Sequence, residues 1–317
     1  MNTPEVSVII PTRNGERSIE KLLKAVFAQK TCFVFEVIIV DSGSTDRTKE
    51  IALSYPVQFY QIKPEDFNHG LTRNLGIKYS RGEYVALLTQ DAIPYNLLWL
   101  EKLIRPLKDN PLIAGVYSRQ IAGDNRSLID LAIMKNTISS LPERNEIIIE
   151  DIGSYGRLLP EDKRRLCNFD NVSSCIRKRV WETIPFPKTE FAEDIEWAQQ
   201  VLILGFKIAF EPESVVYHLH KYSVLEWFKR NQIDAERLEI IFGPAKKNNC
   251  LNILLAGFRN SIRYISFSVK NGKDIVSILN ASCLALVFAF AGAFGRYIGT
   301  RNLRARGKKD EVALYCS

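Results

Sequence analysis

The feature that most narrows the fold is a regular exchange of short apolar runs and amphipathic stretches between Val6 and Tyr117. Val6–Ile10, closed by Pro11, reads as a buried strand. Ser18 then opens a helix whose apolar residues Ile19, Leu22, Leu23, Val26 and Phe27 fall at helical spacing. The pattern continues with a strand over Phe35–Val40, a helix over Thr45–Leu53 capped by Ser44, and a strand over Val57–Ile62. A helix at Thr72–Tyr79, a strand at Tyr84–Leu88, a helix at Asn96–Leu107 and a strand at Ile113–Tyr117 follow. Strands and helices that alternate at these lengths imply an α/β fold with a mostly parallel sheet. Ligands of such sheets bind beyond the carboxyl ends of the strands. Polar clusters stand at three of those ends: Thr12, Arg13 and Asn14; Asp41 and Ser42; Thr89, Gln90 and Asp91. From about Leu141 to Leu166 the pattern is weak, which predicts loops and short helices and a mobile lid. Residues 191–205 return to a helix and 207–217 to strands.

The 317 residues fit about two domains of ordinary size, or one large α/β domain with an appendage. With 46% apolar and 25% charged residues, disordered and low-complexity classes are excluded. The net charge of +7 sits at one end: residues 1–250 carry 33 basic and 33 acidic side chains, whereas residues 251–317 carry 10 and 3. A nucleic-acid enzyme spreads basic residues around its site, so no nucleic-acid partner is expected. A basic tail on a neutral body points to an anionic surface, most simply a membrane. None of the six cysteines forms C-x-x-C or pairs with a histidine at zinc spacing, and no signal peptide is read before the first strand. Reduced thiols in a cytosolic setting are expected.

The chemistry-bearing residues follow the same strand ends. Asp41 can accept a hydrogen bond from the imide N–H of uracil or thymine, or cap the next helix. Asp91 can hold Mg²⁺ or Mn²⁺ against a diphosphate, given a second ligand. Of the three histidines, His218 follows Ser214–Tyr217 and is the best second ligand, while His69 and His220 stay undecided. Arg73 can meet a nucleotide or a surface carboxylate. Glu193 and Asp194 open the helix that runs to Leu204. Acids favour that position through the helix dipole, which accounts for one of the two. The pair reads as a positioned base, Asp194, with Glu193 steering a substrate hydroxyl. Asn171, Ser173 and Ser174 either line an acceptor site or form a polar turn.

Together Ser7–Asn14 (SVIIPTRN), Val40–Asp46 (VDSGSTD), Thr89–Ala92 (TQDA), Glu193–Asp194 and His218 resemble the family 2 glycosyltransferases of the GT-A fold. More narrowly, Phe67–Asn74 (FNHGLTRN), Leu88–Ala92 and Asp170–Ser174 (DNVSS) resemble bacterial rhamnosyltransferases of surface-polysaccharide assembly. The resemblance implies an inverting, metal-dependent transfer from a nucleoside-diphosphate sugar to a hydroxyl of a polyprenyl-diphosphate-linked glycan. Residues 1–245 would form the GT-A catalytic domain. Pro11, Thr12, Asn14, Asp41, Ser42, Arg73, Thr89 and Gln90 would bind the nucleotide. Asp91, as the second carboxylate of D-x-D, and His218 would hold Mg²⁺ or Mn²⁺; Asp194 would be the base. Thr89 stands where the family has the first carboxylate of D-x-D, which contacts ribose hydroxyls. Its loss fits a deoxyribose, hence dTDP-L-rhamnose. A UDP-sugar transferase of the galactosyl or N-acetylglucosaminyl kind is the alternative, and a catalytically dead nucleotide-binding scaffold the other.

Residues 246–317 read as a separate helical region for membrane association. Leu251–Val269 places Leu251, Leu254, Phe258, Ile262, Ile265 and Val269 on one face and Arg259, Arg263 and Lys270 on the other, as in an interfacial helix. Ile275–Gly295 is 21 residues without a charge, followed by six basic residues between Arg296 and Lys309. A single crossing would leave the basic end cytoplasmic and the catalytic domain outside, away from its donor. Peripheral or re-entrant attachment at the cytoplasmic face of the bacterial inner membrane is therefore expected.

Overall fold

The computed structural model describes residues 3–123, 126–135, 143–189, 191–218, 221–244, 250–272 and 274–315. The chain forms two compact units. The first comprises residues 1–122, 138–157 and 165–218; the second comprises 123–137, 158–164 and 219–317. Residues 219–244, expected within the catalytic domain, fall in the second unit.

In the first unit the β-branched runs become strands β1 (Val6–Thr12), β2 (Phe35–Asp41), β3 (Gln58–Gln61), β4 (Tyr84–Leu88), β5 (Ile93–Pro94), β6 (Ile113–Ile121), β7 (Asn145–Ile147), β8 (Ser173–Arg177) and β9 (Lys207–Tyr217). The sheet order is β3-β2-β1-β4-β8-β6-β9-β5, with β7 also on β9. β1 pairs in parallel with β2 and β4, and β6 with β9. β8 lies antiparallel between β4 and β6. β1, β2, β4, β6 and β9 consequently end at one rim, and β8 begins there. Ser173 and Ser174 are buried in β8 rather than forming a turn. Ser173 Oγ accepts from Trp99 Nε1 at 2.9 Å and sits 2.8 Å from Ser118 Oγ.

The helices of this unit are α1 (Ile19–Phe27), α2 (Thr48–Leu53), α3 (His69–Tyr79) and α4 (Trp99–Asp109), then α6 (Ile152–Arg157), α8 (Lys178–Thr183) and α9 (Glu193–Ile203). α5 and α7 fall in sequence between them and are described below. Ile19, Leu22, Leu23 and Val26 of α1 are fully buried against strand residues such as Val8, Ile10 and Ile39. α2 starts at Thr48 because Ser44, expected as its cap, bonds instead to Asp41 and Asn14. α3 starts earlier than expected because Asn68 caps it, its Oδ1 accepting from Leu71 N–H at 3.1 Å. Gly70 lets that first turn press on Pro187, whose carbonyl a Cβ there would strike.

The second unit holds α5 (Leu128–Met134), α10 (Val224–Phe242), α11 (Cys250–Asn271) and α12 (Ile275–Tyr315), with α7 (Pro160–Leu166) beginning in its 158–164 segment. The stretch read as weakly patterned thus carries β7, α6 and α7 among its described residues. α10 opens with a capping box between Ser223 and Glu226. Small residues of α12 turn inward: Ala281, Ala285, Ala289 and Ala293 are buried. Gly295 and Gly299 bring α12 against the α10 backbone, where a Cβ at Gly299 would meet the Gln232 carbonyl. Ser261, Tyr264 and Ser268 are the buried face of α11, and Leu251, Leu254, Phe258, Ile262 and Val269 are exposed. Ile275–Ala305 is long and apolar enough to cross a membrane, and only 28% of its most apolar window is buried.

Candidate functional site

Three clusters meet at the rim of the first unit. The first is a clasp between the loops after β1 and β2. Asp41 is fully buried and accepts from Thr12 Oγ1 at 2.9 Å, from Ser44 N–H at 2.8 Å and from the Ser44 hydroxyl. Asn14 adopts φ 47°, in the left-handed region asparagine tolerates. Its N–H donates to Ser44 Oγ at 2.8 Å and its Oδ1 accepts from Thr45 N–H at 2.9 Å. Gln90 ties the loop after β4 to the same place, accepting from Arg13 N–H at 2.9 Å and donating to Arg13 O at 3.0 Å. Asn14 and Gln90 thus spend their side chains on loop geometry. Pro11 lies in β1 opposite Val40. Thr89 is half-buried, its N–H donating to Val172 O at 3.0 Å. Ser42 is buried, and its hydroxyl has no hydrogen-bond partner among the described residues.

The second cluster pairs β4 with β9. His218 Nε2 lies 3.8 Å from Asp91 Oδ1; the imidazole is 8% exposed and the carboxylate 43%. Behind the ring, His218 Nδ1 lies 2.8 Å from Gln120 Oε1, and Gln120 Nε2 donates to Asp170. Asp91 and His218 fit one side of a cation, since carboxylate oxygen and imidazole nitrogen both ligate Mg²⁺ or Mn²⁺-type ions. Among the described residues no group of three or more His, Cys, Asp or Glu gathers. His69 is half-buried with its ring edge-on to Phe67, and His220 lies outside the described residues.

The third cluster sits at the N-terminus of α9. Ala192 turns the chain there with φ 61°, a strained conformation for alanine. Glu193 then points into the protein, where Arg73 Nη1 lies 3.0 Å from its Oε1, both side chains being 7% exposed. Asn171 Nδ2 donates to the same oxygen at 3.3 Å. Arg73, expected to meet a nucleotide or a surface carboxylate, is paired with the buried carboxylate of Glu193. Asp194 stays half-buried and accepts from Asn171 N–H at 3.2 Å. Burial pushes its carboxyl up to about 7, helped by the charges of Glu193 and Asp170 and opposed by the Asn171 N–H and Arg73. A carboxyl poised there and only half-buried can exchange a proton with a hydroxyl.

Two residues of this arrangement, Gln120 and Asp170, were not singled out for a role by their sequence. Gln120 lies beyond the expected end of its strand, and β6 runs on to Ile121. The one available signal was that Gln120 and His218 both close strands of one sheet.

A profile described as "Glycosyl transferase family 2" matches residues 7–158. The chain is 32% identical over 231 residues to the O-antigen chain rhamnosyltransferase RfbN of Salmonella typhimurium, covering 71% of this chain and 70% of that one. It is 31% identical over 230 residues to the O-antigen chain rhamnosyltransferase WbaN of Salmonella anatum, covering 72% and 70%. Among solved structures, mannosyltransferase PcManGT from Pyrobaculum calidifontis, in complex with GDP-Man and Mn²⁺, superposes with a TM-score of 0.58 at 17% identity, covering 96% of this chain and 87% of that one. TarS of S. aureus in complex with UDP-GlcNAc gives 0.53 at 20% identity, covering 96% and 92%. At such identities the superpositions speak for the fold alone, and they agree with the GT-A expectation.

Proposed function

Because the chain belongs to glycosyltransferase family 2 and has the GT-A fold, we propose that this glycosyltransferase moves L-rhamnose from dTDP-L-rhamnose onto a hydroxyl of a lipid-linked glycan, with inversion. The observation that carries the reading is Asp194, a carboxyl raised to about 7, on the same rim as Asp41 and the Asp91–His218 pair. The similarity to two O-antigen chain rhamnosyltransferases supports rhamnose, and Thr89 in place of a carboxylate supports a deoxyribose donor.

Asp41, held by Thr12 and Ser44, offers its remaining acceptor capacity to the imide N–H of thymine. The buried Ser42 hydroxyl is a second contact for the nucleotide. Asp91 and His218 would hold Mg²⁺ or Mn²⁺, which offsets charge on the departing diphosphate. Asp194 takes the proton from the acceptor hydroxyl as its oxygen bonds to the anomeric carbon. The bond to the diphosphate breaks on the opposite face, so the configuration inverts in one displacement. Glu193 does not meet the hydroxyl on this reading; it is pinned by Arg73 and Asn171, and its place beside Asp194 raises that carboxyl and strengthens the base.

The helical unit supports action at a membrane. Its exposed leucines, isoleucines and phenylalanines, such as Leu251, Phe258, Ile262 and Ile275, recur along two long helices, and its basic residues suit an anionic leaflet. Attachment from the cytoplasmic face keeps the donor site with its nucleotide sugar.

The test is nucleotide release from a panel of dTDP- and UDP-sugars with Mg²⁺ or Mn²⁺ and detergent-solubilised lipid acceptors. Turnover of dTDP-rhamnose, abolished by Asp194→Asn, is expected. Turnover of a UDP-sugar alone would keep the mechanism and overturn the donor.

A further inference from the structure

Gln120 stands half-buried near the end of β6, and its amide bridges two groups that are not equivalent. On one side Nε2 donates to Asp170 Oδ2, while Asp170 Oδ1 is fixed by Val172 N–H at 2.9 Å. On the other side Oε1 lies 2.8 Å from His218 Nδ1. A carboxylate only accepts hydrogen bonds, so the amide nitrogen must face Asp170. The amide oxygen must then face His218. That oxygen also only accepts, so Nδ1 must carry a hydrogen. A neutral imidazole protonated at Nδ1 carries its lone pair on Nε2, the atom 3.8 Å from Asp91 Oδ1. Nε2 and the Asp91 carboxylate would then be two protein ligands for a divalent cation. The backbone holds the ring in place, because His218 N–H donates to Ile121 O at 3.0 Å.

The geometry assigns Gln120 as the positioning residue that sets His218 in the Nδ1–H tautomer and so presents Nε2 to a divalent cation, with Asp170 fixing the direction of the amide. This role rests on the proposal that Asp91 and His218 hold such a cation. Gln120 touches neither substrate nor cation; it acts through the ring.

The experiment uses the full-length protein in detergent, at one pH above neutrality. Long-range ¹H–¹⁵N spectra of ¹⁵N-histidine protein, with the His218 signals assigned by His218→Gln, read the tautomer directly. Mn²⁺ binding in the presence of dTDP is read in parallel by electron paramagnetic resonance of the free ion. Wild type is expected to show the Nδ1–H form. Gln120→Met, which fills the same space without polar atoms, should mix the tautomers and weaken Mn²⁺ about 10–100-fold, the usual cost of removing a group that orients a ligand. Gln120→Glu combined with Asp170→Asn exchanges donor and acceptor between the two side chains, keeps an acceptor facing Nδ1, and should restore both readouts to within about three-fold of wild type. The proposal is overturned if wild type shows the Nε2–H form, or if Gln120→Met leaves either the tautomer or the Mn²⁺ affinity unchanged. Wild type that binds no Mn²⁺ while showing the Nδ1–H form would instead overturn the cation reading beneath it, a different result from a failure at Gln120.

Discussion

The two units solve burial in opposite ways. The first hides large apolar side chains, including Ile9, Ile38, Trp99, Trp197 and Phe210. It also hides charge where chemistry needs it, at Arg73 and Glu193. The second hides a few large side chains, such as Ile129, Phe242, Tyr264 and Phe288, beside a row of alanines on α12, and turns many leucines, isoleucines and phenylalanines outward: Phe258 is 55% exposed and Ile275 75%, while Ala285 is fully buried. Water drives the first pattern through the hydrophobic effect. Small residues inside with large apolar residues outside is a packing that helices adopt in lipid, where close backbone approach supplies the attraction. The contrast supports the proposal that the helical unit meets a bilayer.

The comparison can be pressed hardest at the hidden charges. Asp194→Asn should lower kcat by about 10²–10⁴, the usual contribution of a general base. In wild type, kcat/KM should rise with pH to a plateau, with a midpoint near 7 set by Asp194. The same group costs stability. Its carboxyl is raised from 3.8 to about 7 in the folded protein, so the unfolded chain loses its proton first. Stability is then fully present below pH 4 and falls as pH rises through 7. Asp194→Asn should remove that fall, by up to about 4 kcal/mol above pH 8 and by nothing near pH 4. Chemical unfolding at the two pH values reads the difference, and a variant less stable than wild type at pH 8 would contradict it.

Next in size is the buried pair. Arg73→Met leaves Glu193 without its cation and should destabilise by about 3–5 kcal/mol, whereas Arg73→Met with Glu193→Gln should recover much of the loss. A double-mutant cycle on unfolding midpoints measures the coupling.

Core truncation then separates the units. Ile39→Ala should cost about 2–5 kcal/mol in the first unit. In the second, enlarging the buried Ala285 to Leu should cost about 1–3 kcal/mol through overpacking. Equal tolerance of both changes would erase the distinction drawn here.

The smallest effect on folding should come from the outward face. Phe258→Ser with Ile262→Ser should shift stability in detergent by under about 0.5 kcal/mol. It should nonetheless reduce flotation with anionic liposomes several-fold. Unchanged flotation would leave those residues without a bilayer role.

Much of this arrangement was legible in the residues. Strand periodicity located the rim, and the rule that ligands sit beyond strand ends located Thr12, Asp41, Asp91 and His218. The tail's charge and apolar spacing marked helices over Leu251–Val269 and Ile275–Gly295, where α11 and α12 stand. Other features were hidden because they depend on partners far apart in sequence. β8 enters antiparallel between β4 and β6, and that insertion alone brings Asp170 and Asn171 to the rim. Ser44 loses its expected capping role because Asp41 and Asn14, on two loops, compete for it. Arg73 pairs with Glu193, a residue far along the chain, once α3 and α9 lie side by side.

The sequence by itself determined which residue types stand where strands end, since periodicity of side chains along a backbone is a local property. It also determined that the tail is apolar and basic. Only the tertiary structure decided what each polar group bonds to, which oxygen faces His218, and which face of α11 turns outward. Those outcomes depend on competition among distant donors, acceptors and packing partners, and that competition exists only once the strands and helices are side by side.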